Sequence, residues 1–470
     1  MNGFLVCLAL AAAALSGRTF HVASDGDDAA DGLSPETAWR SLQKVNEADL
    51  LPADTVRFRC GDAFRGHLVV KSGEPGRDVV YSSYGTGEKP VLEASYDASS
   101  PNGWVRAGRR LWKCAVPAER EIGNVIFNHG KKGCGWKAEG FEDLGRRDLR
   151  FFWNAEERAL YLVSRRNPGE RFGSIELAEK VNVIRISKAH DVVVEGLNVR
   201  YGAAHGIAGG GIARIVLRKC DVNWIGGGTL CTNDLGGGVW YGNGIELWSY
   251  ASDVLVEGCR VWECYDAGLT NQSNRKGTVQ ENIVWRGNEV SGCEYSYEYW
   301  NQGEGAVTRN VVFEGNVCRK AGYGWGHRRR WNPNAAHLMF YDNTAATSGF
   351  MLRGNVFSRS KGCGIRLFNV WREFFRMEDN VWSVPGRPFC RFHGRPYSGL
   401  DDLYPDHLDR SHCDNAAEIE SCATVRPRTF RNYGQFEEFI ANMDETGHEL
   451  GLEGKILPTE NPYHRADISR

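Results

Sequence analysis

A strand-like motif recurs through the middle of the chain and constrains its fold more than any other feature. Each copy has alternating apolar residues, a polar residue, a Gly or substitute, and then a small or polar residue. The copies are VVVEGLNV (192–199), IVLRKCDV (215–222), VLVEGCRV (254–261), IVWRGNEV (283–290), VVFEGNVC (311–318), FMLRGNVF (350–357) and FFRMEDNVW (374–382). The anchors, defined as the small or polar residue, are Leu197, Cys220, Cys259, Asn288, Asn316, Asn355 and Asn380, in steps of 23, 39, 29, 28, 39 and 25 residues.

Strand alternation at such intervals predicts an all-β parallel β-helix. One coil cannot bury its apolar face alone, so coils stack and share a continuous core. The anchors then form an inward column, in which asparagines can hydrogen-bond along the stack. The two steps of 39 residues predict inserts at about 226–241 and 322–336, and loops that interrupt a rigid stack often carry function.

The opening of the chain adds FHVASDGDDAADGLSPETAWRSLQKVN, PADTVRFRCGDAFRG and VYSSYGTGEKPVLEAS to this pattern. Over residues 19–95 and 181–385 the chain resembles the right-handed parallel β-helix proteins of the pectate-lyase-like superfamily, many of which are secreted carbohydrate-active enzymes. The resemblance implies an N-terminal cap with a short helix at about 38–48. It does not define the chemistry, because that superfamily contains hydrolases, lyases, epimerases and phage spikes.

The remaining segments suggest further boundaries. We expect a signal peptide at 1–17, the cap and first coils at 18–99, a β insertion at 100–180, the central coils at 181–385 and a C-terminal capping segment at 386–470 with a helix at 436–447. The first segment is apolar but short for a membrane span, so we expect a soluble protein that is secreted or periplasmic. The net charge of −2 argues against nucleic-acid binding.

The cysteines leave two interpretations open. Thirteen of the 14 follow Cys7, an odd number, and none has zinc-ligand spacing. Cys220 and Cys259 fall in neighbouring coils, as do Cys264 and Cys293. Each pair is either a disulfide or a stack of two free thiols used as small apolar groups.

An outward column of side chains follows from the second strand of each coil. Because strand side chains alternate, Ala208, Glu246, Thr270 and Arg366 should all face solvent. Strict counting from the anchor would put Glu298 inside the core, where a lone carboxylate is very costly. A shift of one residue places Glu298 in the outward column, and we adopt that register.

Three carboxylates from consecutive coils therefore meet on one face and are the candidate catalytic residues: Asp266, Glu298 and Glu246. Clustered carboxylates beside tryptophans fit glycoside hydrolysis, with one acid protonating the leaving oxygen and another attacking or activating water. We predict Asp266 as nucleophile or base and Glu298 or Glu246 as acid, with mutual repulsion raising one pKa. The substrate would be a polysaccharide or oligosaccharide, no cofactor is required, and no metal site is expected.

Candidate substrate-binding residues lie near the same face. They are His205, Asn243, Asn271, Trp300, His327, Arg328, His337 and Arg366. The arginines of the second insert could bind an anionic polysaccharide. The same side chains could instead be a solvated basic loop, turn asparagines and a satisfied turn histidine.

Two other functions remain open. A polysaccharide lyase or epimerase acting on a uronate polymer would use His205, Arg328 or Arg366, and its carboxylates would bind Ca²⁺. A non-catalytic carbohydrate-binding β-helix would retain sugar without turnover.

Overall fold

The computed structural model describes residues 17–232, 237–330, 332–368, 375–384, 386–392 and 395–397. The predicted signal peptide, apart from its last residue, and most of the predicted C-terminal segment, including the helix at 436–447, lie outside these ranges. In the described part of the chain, no helix has the length and hydropathy that a membrane crossing needs.

Three parallel sheets run the length of the molecule, and successive coils each add a strand to all three. Sheet 1 contains Thr19–Val22, Thr55–Arg59, Val79–Tyr84, His190–Glu195, Ile212–Arg218, Ala251–Glu257, Val279–Arg286, Val307–Glu314, Ala346–Arg353 and Phe375–Glu378. Sheet 2 contains Ala63–Arg65, Val91–Glu93, Asn198–Arg200, Asp221–Ile225, Arg260–Cys264, Glu289–Ser291, Val317–Ala321, Val356–Ser360 and Val381–Ser383. Sheet 3 contains Leu68–Val69, Ile184–Arg185, Ile207–Gly209, Ile245–Trp248, Ala267–Ser273, Tyr295–Asn301, Ala336–Phe340, Cys363–Leu367, Cys390–Phe392 and the antiparallel Arg395–Tyr397. The predicted all-β parallel β-helix is confirmed.

The predicted asparagine column is present inside the coils. Asn316 donates from its side-chain amide to Trp285 O at 2.9 Å and to Asn355 Oδ1 at 3.0 Å. Its own Oδ1 accepts from the backbone N–H of Asn288 at 2.8 Å and from the Asn288 amide at 3.0 Å. Asn380 continues the column in the next coil. Each buried amide is therefore satisfied by the coil above or below, which removes the cost of burying it.

The stacked cysteines are free thiols. Cys220 and Cys259 are buried neighbours, as are Cys264 and Cys293. The two cysteines of each pair lie in adjacent coils, as the repeat predicted. Of the two interpretations, the structure shows stacked free thiols and not disulfides.

A short helix, Leu42–Glu47, lies within the range expected for the N-terminal cap. The Ser41 side chain accepts from the Lys44 backbone N–H at 3.1 Å and begins the helix. Leu42 and Val45 are buried in the main core. That the helix closes the end of the stack stays a prediction.

Residues between the first and central coils form two additional sheets. One contains Trp104–Gly108, Leu111–Ala115, Trp136–Lys137, Arg150–Asn154 and Ala159–Val163. The other contains Ser95–Asp97, Ile122–Phe127 and Ile175–Glu179. Short helical turns are Pro35–Thr37 in the cap, and Pro101–Gly103, Asn128–Gly130, Glu142–Leu144 and Pro168–Arg171 here. A separate apolar cluster that includes Phe127, Phe151 and Leu160 holds the two sheets together.

The two inserts of the central coils are a hairpin, Gly228–Thr232 with Gly238–Tyr241, and a helix, Trp325–Arg329. Both contact Tyr265: the Trp240 ring centroid is 6.2 Å away and the Trp325 centroid 5.4 Å. The inserts therefore lie together on one side of the stack, where the outer residues of sheet 3 begin.

Candidate active site

The outward column of sheet 3 has the register that the shifted count predicted, but the expectation that it faces solvent was wrong for Ala208, Glu246 and Thr270, which are buried on this face. Glu246 pairs with Thr270, and Thr270 pairs with Glu298. Tyr297 points inward, where its ring lies 4.8 Å from that of Phe313. Because the Tyr297 ring packs in the core and successive strand side chains face opposite sides, the Glu298 carboxyl lies on the outer face.

Glu298 is a buried carboxyl without a hydrogen-bond partner for one oxygen. The residue is 5% exposed, and Oε2 has no partner among the described residues. Burial raises the pKa of Glu298 well above its usual range, and the nearby charges of Asp266 and Glu246 raise it further. Burial and the two neighbouring charges therefore all favour the protonated form of this carboxyl.

Asp266 lies at the corner just before the strand that contains Thr270. Its Oδ1 is 3.0 Å from Arg330 Nη2, and its backbone N–H donates to Gly242 O at 3.0 Å. The Arg330 side chain is itself almost fully buried, 6% exposed, and its guanidinium lies over the Tyr265 ring at 4.8 Å. The buried guanidinium gives Asp266 a hydrogen bond between charged groups and fixes the position of its carboxylate.

Two neighbouring side chains lie against one oxygen of Glu246. The Asn243 side-chain amide donates to Glu246 Oε2 at 2.6 Å, and His205 Nδ1 lies 3.1 Å from the same oxygen. The Asn243 backbone N–H donates to His205 Nδ1 at 3.0 Å, and the Tyr241 ring packs edge-on against the imidazole at 4.9 Å. The Asn243 amide thus positions Glu246, and the His205 imidazole lies beside the same oxygen.

Two tryptophans end the outward column. Trp248 pairs with Gln272, and Gln272 pairs with Trp300. The Trp248 and Trp300 rings are 6.1 Å apart and both remain half-buried. Their partly open faces lie on the same sheet face as the carboxylates, a position suited to stacking against a sugar ring.

The second insert is attached to the stack by acidic residues. His327 Nδ1 lies 2.9 Å from Glu294 Oε2, and the Trp325 backbone N–H donates to Glu263 Oε2 at 2.8 Å. Arg328 is directed to the surface and donates to Tyr323 O at 3.3 Å. His327 therefore holds the insert in place, and Arg328 is the insert arginine nearest to solvent.

The other two arginines of the second insert make contacts within the protein. Arg330 pairs with Asp266, and Arg329 donates to Cys134 O at 2.9 Å and Gly135 O at 3.1 Å. These donors are used within the protein, whereas the buried Arg330 Nε has no partner among the described residues. Arg366 keeps its predicted place in the outward column. Glu298 pairs with Met339 on the next strand, and Met339 pairs with Arg366 on the strand after that.

Two predicted substrate-binding residues lie inside the coils, so their placement on the outer face was wrong. Asn271 is fully buried and donates to Gln280 Oε1 at 3.0 Å. His337 is also fully buried, with Nδ1 3.0 Å from Ser296 Oγ, and burial lowers the pKa of His337 to about 3. Asn271 follows Leu269 by two residues, so the alternation that places Leu269 inward places Asn271 inward too. His337 turns inward at the corner that begins its strand.

Glu294 and Arg330 were not singled out from the sequence. A signal for Glu294 was present: Ala267 pairs with Tyr295, so Asp266 and Glu294 occupy equivalent corners in successive coils. No sequence signal indicated which arginine of the insert would reach them. In the described ranges, no group of three His, Cys, Asp or Glu residues is arranged to hold a metal ion.

Comparison with known proteins places this site on a known fold. Residues 178–369 match the family described as right handed beta helix region. A lacto-N-biosidase of Bifidobacterium longum subsp. longum is 36% identical over 88 residues, which are 17% of this chain and 6% of that much longer protein. The solved structure of XylC with xylose has a TM-score of 0.52 and 12% identity, covering 80% of this chain and 68% of that one. A structure named glycoside hydrolase has a TM-score of 0.51 and 9% identity, covering 81% and 96%.

The two structural likenesses concern the fold alone, because their identities are low. Together with the three parallel sheets, these findings confirm the resemblance that the sequence indicated: the chain is a right-handed parallel β-helix protein, similar to carbohydrate-active proteins of that fold.

Proposed function

We propose that this protein is a glycoside hydrolase in which Glu298 is the general acid and Asp266 the second catalytic carboxylate. One observation carries the proposal: a buried carboxyl with an unpartnered oxygen and a raised pKa lies near a carboxylate paired with a buried arginine. Glycoside hydrolysis needs this division, one carboxyl protonated and one ionised in the same site.

The two groups have complementary tasks. Glu298 donates its proton to the glycosidic oxygen as the bond to the sugar breaks, so that the leaving group departs as an alcohol. Asp266, held in place by Arg330, either attacks the anomeric carbon or takes a proton from the attacking water. This chemistry requires no cofactor.

Glu246 supports Glu298 rather than replacing it. Its negative charge is one of the causes that raise the pKa of Glu298. The Asn243 amide donates to its Oε2, so the carboxylate stays at a fixed place on the outer face of sheet 3. Glu246 lies two strands from Glu298, about 9–10 Å apart along the sheet.

The substrate class follows from the site and the relatives. The outer wall of sheet 3 carries half-buried Trp248 and Trp300 beside the carboxylates, which suits a polysaccharide or oligosaccharide. The 36% identity to a lacto-N-biosidase over 88 residues supports glycosidic-bond cleavage. With the expected signal peptide, we place this activity outside the cytoplasm.

The first test is a polysaccharide and oligosaccharide screen read for new reducing ends and for the ultraviolet absorbance of unsaturated uronides. We expect reducing ends without that absorbance. An unsaturated product would identify a lyase and overturn the hydrolase, whereas binding without any product would identify a carbohydrate-binding protein.

Leaving-group dependence then tests the assigned roles. With unactivated substrate, E298Q and D266N should each lose about 10²- to 10⁴-fold in kcat. With 2,4-dinitrophenyl glycosides, whose leaving group needs no protonation, E298Q should recover most of its rate and D266N should not. The matched control E281Q removes a carboxylate on sheet 1 that pairs with Arg309 and should leave kcat unchanged. If E298Q lost kcat by the same factor on both substrates, Glu298 would not be the general acid.

A further inference from the structure

A cavity lies where the β insertion meets both inserts of the central coils. Its volume is about 330 Å³. Its lining residues come from the insertion sheet, the hairpin and the helix: Trp136, Lys137, Glu139, Asp143, Arg150, Trp240 and Arg329. Ligand pockets measure about 300–1,000 Å³, so this one has room for a small ligand.

The cavity walls are held in place by contacts between these three elements. Lys137 Nζ donates to Gly227 O at 2.8 Å and to Thr229 Oγ1 at 2.9 Å. The Gly238 backbone N–H donates to Glu139 Oε1 at 3.1 Å. The guanidinium of Arg329 lies 3.3 Å from the centroid of the Trp136 ring. The cavity is therefore preformed rather than a gap between loosely packed parts.

The chemistry of the lining fits a neutral, hydroxyl-rich ligand. Lys137, Arg150 and Arg329 supply positive charge, and Glu139 and Asp143 supply negative charge, so neither sign dominates. Carboxylate oxygens can accept from sugar hydroxyls, and the Arg150 guanidinium can donate to them. The half-buried Trp240 provides a ring against which a sugar can pack.

One strand has this cavity on one face and the candidate active site on the other. In the hairpin strand Gly238–Tyr241, Trp240 lines the cavity, while Tyr241 packs against His205 at 4.9 Å. Successive side chains of a strand face opposite sides, so the strand separates the cavity from the cleft that contains Glu246. His205 Nδ1 is 3.1 Å from Glu246 Oε2.

We infer that the cavity is a second carbohydrate-binding site, which takes a neutral mono- or disaccharide unit on the far side of the hairpin from the catalytic carboxylates. The sugar class rests on the proposed function, but the site itself is independent of catalysis. A branch or a distant unit of a longer substrate would occupy it.

Saturation-transfer NMR tests the inference with D-xylose, D-galactose, lactose and sodium D-galacturonate as probes. The proteins are the full chain, E298Q, W240A, R150A and the control Y250A, which changes an exposed tyrosine outside the cavity. We expect a neutral sugar to bind the full chain, E298Q and Y250A alike. W240A and R150A should each raise its Kd by roughly tenfold or more, which corresponds to about 1.4 kcal/mol.

Three results would overturn the second site: none of the neutral sugars binds, binding is unchanged in both W240A and R150A, or galacturonate binds more tightly than every neutral sugar. Circular dichroism of each variant checks its fold. Because the cavity lies on the far side of the hairpin from Glu298, sugar binding by E298Q together with failed hydrolysis by the full chain would overturn the proposed function and leave the cavity site intact.

Discussion

Arg330 Nη2 lies 3.0 Å from Asp266 Oδ1, so a residue of the second insert pairs with a carboxylate that precedes it by 64 residues. The same guanidinium reaches Glu294 in the next coil, with Nη1 3.7 Å from Oε1. A planar guanidinium can address two acids at once, whereas an ammonium group acts as a single point charge. The insert thereby determines where the Asp266 carboxylate lies.

R330K should distinguish the effect of Arg330 on the position of Asp266 from the effect of its positive charge. It keeps the positive charge but cannot contact Asp266 and Glu294 together, so Asp266 should shift and kcat should fall roughly 10- to 100-fold. The control R309K changes an exposed ion pair on sheet 1 and should retain wild-type kcat. Steady-state kinetics on the best substrate of the screen checks this, and an R330K enzyme with wild-type kcat would show that Arg330 does not position Asp266.

E298Q should be more stable than wild type, and the difference in Tm should grow as the pH rises. The folded-state pKa of Glu298 is raised, so the folded protein holds a proton that the unfolded chain releases above about pH 4.3. Stability is therefore lost as the pH increases from that value toward the folded-state pKa. The glutamine has no such proton, so the Tm of E298Q should exceed that of wild type by more at pH 7.5 than at pH 4.

Differential scanning calorimetry at several pH values measures this. E281Q serves as the control and should show no gain that grows with pH. A Tm difference for E298Q that stays constant from pH 4 to pH 7.5 would contradict a buried Glu298 whose pKa is raised by folding.

His337 should produce the opposite pH dependence. Its folded-state pKa is about 3, so in acid the unfolded chain binds a proton that the folded protein does not. Below about pH 6.5 this single group should cost about 1.4 kcal/mol of unfolding free energy for each pH unit. H337Q should show a correspondingly shallower loss of stability between pH 6 and pH 4, measured by urea unfolding. If H337Q and wild type lost stability in parallel over this interval, His337 would not be a buried neutral imidazole.

N316A should destabilise the stack. It removes the acceptor for Asn288 and the donors for Trp285 O and Asn355 Oδ1, which leaves buried polar groups unpaired. We expect a loss of about 3 kcal/mol in unfolding free energy. N198A, which removes one acceptor on the half-buried outer side of sheet 2, should cost about 1 kcal/mol or less. Urea unfolding compares the two, and equal losses would show that the interior column carries no special role.

The repeat by itself determined the coil, the inward asparagine column and the outward column with Glu246 and Glu298. These features depend on alternation within a strand and on pairing between adjacent strands, both of which are periodic along the sequence. The same rule, applied two residues beyond Leu269, would have placed Asn271 inside. The placement of Glu298 followed because the energetic cost of a buried unpaired charge excluded the alternative register.

Only the tertiary structure decided which insert residues reach the site. Arg328, Arg329 and Arg330 are consecutive and chemically alike, yet one faces the surface, one packs on Trp136 and one pairs with Asp266. Their directions depend on how a short helix packs against distant coils and the β insertion, and no sequence period encodes that packing. The cavity beside Trp240 arises in the same way, because its walls come from three segments that are far apart in the chain and meet only when the coils stack.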